Sequence, residues 1–461
     1  MDRVKYDVIV IGGGPGGYLA AERSGGKGLK TLLIEKTNIG GVCLNEGCIP
    51  SKTFLYSAKI YENIKQGNKY GVYTDNVKYD QKIVLKRKNK VVKRLVMGVK
   101  SKLKNNNVDV IEANGKISGN KKEGYLVEAI TNGDKKVFTC NYLIIATGSI
   151  PIVPPIEGLK EGLKSGYVMT NKEILDLDYI PKSITIIGGG VIGLEMASYF
   201  STVGCKVVVV EMLDNVGGSL DSEISENLLK SYKKKGIEFK LGSKVTKLNT
   251  NSIIYENKNE IFELESDKVL LSIGRKPNIE DLGLENLNIE VEKNYIKTDN
   301  RLNTNIPRVY AIGDVNGKSM LAHTAYREAE VCINNISGKK DLVRYENIPS
   351  VIYGNPEIAV VGLTENEAIK KGIEYKKVTL PMMYSGRYIA ENEERDGIAK
   401  LIVDKKYNKL IGVHMMGSYV SEMIYGAGLM LEMELRTEDI KEIVFPHPTV
   451  SEILHEAIHE F

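Results

Sequence analysis

The stretch Gly40-Gly41-Val42-Cys43-Leu44-Asn45-Glu46-Gly47-Cys48-Ile49-Pro50-Ser51-Lys52 holds two thiols five residues apart. On a regular α-helix they lie about 7.5 Å apart along the axis and about 140° apart around it, roughly 8.6 Å between Cα atoms. That exceeds the reach of a disulfide. Gly47 and Pro50 offer a way to distort the helix, since glycine frees φ and proline disfavours a helical Ile49 before it. A disulfide held in an irregular turn is easily reduced, which suits reversible thiol–disulfide exchange. The competing readings are a metal site and unpaired thiols. Metal sites use shorter cysteine spacings and four ligands, and no second cysteine pair or nearby histidine is available. No metal site is expected.

Exchange needs thiolates, so a proton acceptor must stand near, and histidine changes charge nearest neutrality. The chain has five: His323, His414, His447, His455 and His459. Pro446 and Pro448 bracket His447 and stiffen its backbone. His455 and His459 fall on the last helix and read as structural. Cys140, Cys205 and Cys332 are scattered among apolar neighbours and read as buried thiols.

The elements that must position these groups contain one unit twice. An apolar run, Tyr6 to Ile11, leads into Gly12-Gly13-Gly14-Pro15-Gly16-Gly17, and Ser183 to Ile187 leads into Gly188-Gly189-Gly190-Val191-Ile192-Gly193. Each is followed by a helix-like stretch and a buried-strand run ending in Glu35 or Glu211, 23 residues after the first glycine in both copies. Each copy closes on an apolar strand ending in glycine, Leu143 to Gly148 and Val269 to Gly274. One such glycine motif is weak; two in the right context imply two bound dinucleotides. The first glycine allows the tight turn, the second admits a pyrophosphate and the third lets helix and strand pack closely. The helix N-terminus adds positive potential, and the acid takes a ribose diol. At Glu211 a carboxylate would repel a 2′-phosphate and bond a 2′-hydroxyl, which favours NAD over NADP should this fold take a nicotinamide nucleotide.

About a hundred residues separate the first acid from its closing strand, and they carry a long basic helix besides the thiols. Val91, Leu95, Val99 and Leu103 repeat every four residues and predict one apolar stripe. Lys86, Arg87, Lys88, Lys90, Lys93, Arg94, Lys100, Lys102 and Lys104 surround it. They read as a solvated face, with an acidic docking partner as the alternative; nucleic acid is not favoured. Arg275-Lys276-Pro277-Asn278 reads as a turn, and from about Tyr345 the pattern changes to alternating strands and apolar helices, an α+β unit.

With 461 residues, the chain is too long for one core. Its 42% hydrophobic and 26% charged residues are ordinary for a globular protein, and a formal charge of +4 argues neither for nor against an anionic partner. The N-terminus lacks the layout of a secretory signal, and no apolar run reaches membrane-spanning length. A cytoplasmic protein without membrane contact is expected.

The run from Gly40 to Lys52 resembles the active-site signature of the pyridine nucleotide–disulfide oxidoreductases, and its Cys-Leu-Asn-x-Gly-Cys-Ile-Pro-Ser-Lys form is similar to that of the dihydrolipoyl dehydrogenases among them. The resemblance covers the whole chain. It implies an α/β fold: two Rossmann-like dinucleotide-binding domains plus an α+β C-terminal dimerisation domain. The expected boundaries are 1–150 for FAD, 151–279 for NAD, 280–346 for a central domain completing the FAD site, and 347–461 for the interface. FAD would be held by Gly12, Gly14, Gly17, Glu35, Thr147, Gly148, Asp314 and Ala322, with Lys52 close to the flavin and paired with Glu195. NAD would be held by Gly188, Gly190, Gly193, Glu211 and Gly274, with Glu195 and Arg275 nearby. Pro446 to Glu452 is similar to the family's His-Pro-Thr-x-x-Glu signature, which makes His447 the acid–base catalyst, oriented by Glu452 and acting on the other subunit of a homodimer.

The activity so implied is oxidation of dihydrolipoyl groups with reduction of NAD, Cys43 facing the substrate and Cys48 the flavin. The lipoyl carrier would be a separate protein, of a 2-oxo acid dehydrogenase or of the glycine cleavage system. Val42 stands where threonine is common, and Phe445-Pro446 replaces polar residues; both bear on the polarity of the substrate channel. Two other readings are a reductase of a different disulfide and a non-catalytic FAD-binding sensor. Glu211 argues against NADP-linked reductases, and the set Cys43, Cys48, His447 and Glu452 argues against a sensor.

Overall fold

The computed structural model describes residues 4–393 and 396–461. Met1, Asp2 and Arg3 of the expected FAD-binding domain and Glu394 and Arg395 of the expected interface domain lie outside them. The chain divides into two compact units, one comprising Met1–Pro50, Lys86–Ile152 and Arg275–Tyr345 and the other Ser51–Leu85, Val153–Gly274 and Glu346–Phe461.

In the first unit the strands Val108–Glu112, Thr31–Glu35, Lys5–Ile11 and Asp134–Ile145 lie side by side in parallel, with Val309–Ala311 parallel to the last. Asp134–Ile145 has two roles. Its first half pairs antiparallel with Gly124–Thr131, which pairs in turn with Asn114–Lys121, and its second half continues parallel to Lys5–Ile11. Val8, Ile9, Val10, Leu32 and Leu33 are each 0% exposed. Burial on both faces explains why these strands read as unbroken apolar runs and do not alternate.

The second unit repeats the parallel arrangement in the order Glu238–Lys240, Lys206–Val210, Ser183–Ile187, Lys268–Leu271, Val168–Met169. Its C-terminal part is a five-stranded antiparallel sheet, Ser350–Ile352, Glu357–Gly362, Leu410–Gly417, Ile398–Asp404, Tyr375–Pro381. The helices Val420–Glu432 and Glu452–His459 bury Ile424, Leu431, Ile453 and Ile458 in its core. The α/β fold class is therefore as expected from the sequence.

Four local expectations need correction. Ile49 is helical, because Pro50 falls in the first turn of Cys48–Lys65, where proline is tolerated. Arg275–Pro277 is a short strand paired with Ser149–Pro151, not a turn. In the helix Gln81–Asn105, Leu95 is 39% exposed, and the buried edge runs through Val96, Val99 and Leu103. A strict four-residue step advances 400° and so drifts about 40° around the helix each time. Lys88, expected among the solvated cations, is buried by the same rotation, at 3% exposure.

Candidate active site

The two glycine turns match in detail. The helices Pro15–Gly26 and Val191–Thr202 each have 12 residues, and their N-caps Gly14 (φ −71°, ψ −174°) and Gly190 (φ −79°, ψ −173°) share one backbone conformation. A Cβ on Gly17 would stand 1.8 Å from Gly12 O, and one on Gly193 would stand 2.1 Å from Gly188 O. The third glycine of each turn is therefore required by packing of the chain on itself. The second is not: a Cβ on Gly190 would meet nothing within 4 Å, and on Gly14 only Gly41 Cα at 4.0 Å. Open space beside an undecorated helix N-terminus fits an approaching pyrophosphate.

The acids are held alike. Glu35 accepts the Gly13 N–H at 2.6 Å and the Thr37 N–H at 2.8 Å; Glu211 accepts the Gly189 N–H at 2.6 Å and the Leu213 N–H at 2.8 Å. These bonds fix each carboxylate at the end of its strand and leave oxygen lone pairs for a ribose diol. Beside the first turn, the buried Thr147 Oγ1 has no hydrogen-bond partner among the described residues. A buried hydroxyl in that state fits a polar group of a ligand. Gly148 is in the left-handed region (φ 68°), and its carbonyl accepts the Asn278 N–H at 2.9 Å. Gly274 (φ 119°) ends the equivalent segment of the second unit.

Asp314 sits in the short 3-10 turn Gly313–Asn316 and accepts a hydrogen bond from the Ser149 hydroxyl. Arg275 secures that serine, its Nε donating to Ser149 Oγ and its Nη2 to Ser149 O, both at 2.7 Å. Burial lowers the Arg275 pKa, and the charges of Asp314, Glu46 and Cys48 oppose that shift. Ala322 and His323 open the helix Ala322–Ile336. One residue of this helix was missed in the sequence. Glu328, 0% exposed, accepts the Gly313 N–H, both of its oxygens take Asn316 Nδ2 at 3.1 Å, and Oε1 takes Tyr345 Oη at 2.7 Å. Burial raises its pKa against those bonds. A glutamate in the buried stripe of Ala325, Ala329 and Cys332 was the available signal.

Cys43 and Cys48 stand near each other, both half-buried. Cys43 lies on the helix Gly41–Glu46 and Cys48 opens the helix Cys48–Lys65, with a break at Gly47 (φ −148°, ψ −108°). Splitting one helix into two is the distortion that the spacing demanded. Cys140, Cys205 and Cys332 are buried, and burial pushes the first two thiols up to about 12. Burial raises Cys332 as well. None of the three is poised to form a thiolate near neutrality.

In the second unit Lys52 Nζ donates to both oxygens of Glu195 at 2.9 Å and lies 4.4 Å from the Tyr353 ring centroid. At the C-terminus His447 Nδ1 meets Glu452 Oε1 at 2.9 Å, and Thr449 N–H donates to Glu452 Oε2 at 2.8 Å. The Thr449 N–H and the His447 ring hold the Glu452 carboxyl below its ordinary value. The His447 side chain is 80% exposed, so its own chain leaves most of the ring uncovered. His455 and His459 touch each other, Nε2 to Nε2, at 3.2 Å. The acids Asp221, Glu223 and Glu365 converge within 4.8 Å. Lys400 Nζ fills their centre, 2.7 Å from Asp221 Oδ1, 3.2 Å from Glu223 Oε2 and bonded to Glu365.

Residues 6–329 match the model of the pyridine nucleotide-disulphide oxidoreductase family, and residues 348–458 match that of its dimerisation domain. The chain belongs to the pyridine nucleotide-disulphide oxidoreductases. Among curated relatives it is similar to dihydrolipoyl dehydrogenase of Bacillus subtilis, 39% identical over 98% of this chain and 97% of that one. It is also similar to the mitochondrial dihydrolipoyl dehydrogenase of Schizosaccharomyces pombe, 38% identical over 98% and 89%. Among solved structures, the Cu(II) complex of the HOCl-induced flavoprotein disulfide reductase RclA from Escherichia coli superposes with a TM-score of 0.88 at 26% identity, covering 100% of both chains. Pyridine nucleotide-disulphide oxidoreductases of this kind use FAD and NAD, and the dimerisation domain supports a homodimer. Among the described residues no helix is long and apolar enough to cross a membrane.

Proposed function

We propose that the chain is a cytoplasmic dihydrolipoyl dehydrogenase, which reoxidises dihydrolipoyl groups on a carrier protein and reduces NAD. Near-full-length likeness to enzymes of that name carries the reading, supported by the matched glycine turns and the His447–Glu452 hydrogen bond. Gly12, Gly14, Gly17, Glu35, Thr147, Gly148, Asp314 and Ala322 would hold FAD, and Gly188, Gly190, Gly193, Glu211 and Gly274 would hold NAD, with Lys52 and Glu195 supporting the two. Bound there, FAD would supply two-electron chemistry between the reduced thiols and NAD.

The residues of the chain do the rest. His447 of one subunit takes a proton from a substrate thiol, and Glu452 fixes the ring and stabilises its charged form. The resulting substrate thiolate attacks Cys43 of the oxidised Cys43–Cys48 pair, forming a mixed disulfide and releasing Cys48 as a thiolate. The second substrate thiol then attacks the substrate sulfur of the mixed disulfide, breaking its bond to Cys43 and passing its proton to the departing Cys43 sulfur, so that the lipoyl disulfide closes and leaves Cys43 as a thiol and Cys48 as a thiolate. Cys48 would be the thiol on the flavin side. Side-by-side assays test the reading: NAD reduction by dihydrolipoamide is expected, and faster NADPH oxidation by glutathione disulfide is the result against it.

A further inference from the structure

The helix Gln81–Asn105 contains no Asp or Glu. Successive steps of three and four residues place Lys86, Lys90, Lys93, Met97, Lys100 and Lys104 within about 40° of one line along it. All six are exposed, Met97 at 54%. The stripe is about 27 Å long at 1.5 Å per residue. Among the described residues its lysines make no ion pair within 4.0 Å. The whole chain carries only +4, so these cations are balanced elsewhere and not locally. Like charges at i,i+3 and i,i+4 oppose helix formation. A separate face, about 105° around the helix from the stripe, holds it down: Val96, Val99 and Leu103 share one core with Leu44 and Ile49, the residues that follow Cys43 and Cys48 in the chain.

We infer that this stripe is a docking face for an acidic, lipoyl-bearing protein, an inference that rests on the function proposed above. A carrier-borne substrate must be gathered and oriented as a macromolecule, and a one-signed stripe steers such an encounter. Charge complementarity selects an acidic occupant, and Met97 offers an apolar contact in the middle of the stripe. Single-stranded nucleic acid is less well suited, because the helix has no aromatic residue on which bases could stack. A membrane is less well suited too, because the apolar face is committed to the core.

The test compares three substrates: dihydrolipoamide, a glutamate-rich peptide bearing one dihydrolipoyl-lysine, and the same peptide with glutamines. At low salt kcat/KM for the glutamate peptide should exceed that for the glutamine peptide by about tenfold or more. Salt should abolish the advantage, as should replacing the five lysines of the stripe (Lys86→Glu, Lys90→Glu, Lys93→Glu, Lys100→Glu, Lys104→Glu), while dihydrolipoamide turnover stays unchanged. A Lys→Gln version of the same variant should lose the advantage without reversing charge. An advantage that survives in both variants, or none in the wild type, overturns the inference. Anisotropy of the labelled glutamate peptide, read without turnover, still decides it if dihydrolipoamide is not oxidised, which defeats only the proposed function. Tighter stripe-dependent binding of a single-stranded oligonucleotide or of phosphatidylserine vesicles also overturns it.

Discussion

Lys52 Nζ lies 2.9 Å from both carboxylate oxygens of Glu195, and the two partners are unequally buried: the lysine side chain is 33% exposed and the glutamate 5%. Glu195 Oε1 also takes the Tyr353 N–H at 3.0 Å. Removing the cation strands a buried carboxylate, whereas neutralising the acid leaves a lysine that water can reach. Lys52→Met should therefore cost about 3 kcal/mol and Glu195→Gln only about 1 kcal/mol, read from denaturant midpoints at constant slope. Equal losses would show that burial does not set the asymmetry.

The second nucleotide turn separates folding from binding within four residues. Gly190→Ala adds a methyl to open space at φ −79°, where any residue fits. Gly193→Ala drives a methyl to 2.1 Å from Gly188 O. The first variant should melt like the wild type and bind NAD at least about tenfold more weakly, a loss of ~1.4 kcal/mol. The second should be destabilised before any ligand is added. Calorimetry and thermal melts read the two effects, and unchanged NAD affinity in Gly190→Ala would remove the pyrophosphate from that turn.

Glu211→Gln keeps an oxygen to accept the Gly189 or Leu213 N–H and removes the charge. The preference for NAD over NADP, as a ratio of kcat/KM values, should fall by about tenfold or more. A ratio that does not move would mean that the charge of Glu211 does not discriminate the 2′-phosphate.

Burial alone would raise Glu365, but hydrogen bonds from Lys400, Lys377 and Tyr375 hold it at about 2, below its ordinary 4.5. Its stabilising contribution is complete above about pH 4.5 and is lost as pH falls toward 2. Lys400→Met removes the largest of those bonds and leaves Asp221, 1% exposed, without its ion-pair partner. The variant should lose about 3–5 kcal/mol near neutrality, and its stability should fall less steeply between pH 4.5 and 2 than that of the wild type. Urea midpoints across that range check both, and parallel curves would contradict the assignment.

Where a feature depended on neighbours in sequence, it was legible before folding. The paired glycine turns, their acids and the closing strands follow from spacing alone, because each is a short stretch of chain meeting itself. The break between Cys43 and Cys48 was legible in kind, since a regular helix cannot bridge them, although proline played no part in it at Ile49. Pairings across long intervals were not derivable from residue spacing. Lys52 with Glu195 came only from the resemblance, and Lys400 with Asp221 and Glu328 with Gly313 were not anticipated. A buried charge is recognisable only when its partner is in view, and Lys88 looked like one more surface cation until the helix rotation buried it.

The proposed function has Cys43 and Cys48 carry electrons from dihydrolipoyl groups to NAD. The direct measurement is the yield of NADH from dihydrolipoamide and NAD under anaerobic conditions, in the purified FAD-loaded protein and in its Cys43→Ser and Cys48→Ser variants. One NADH should form for each dihydrolipoamide oxidised in the wild type, and turnover should vanish in both variants. NADH formation that persists in either variant, or its absence from the wild type, would rule that role out.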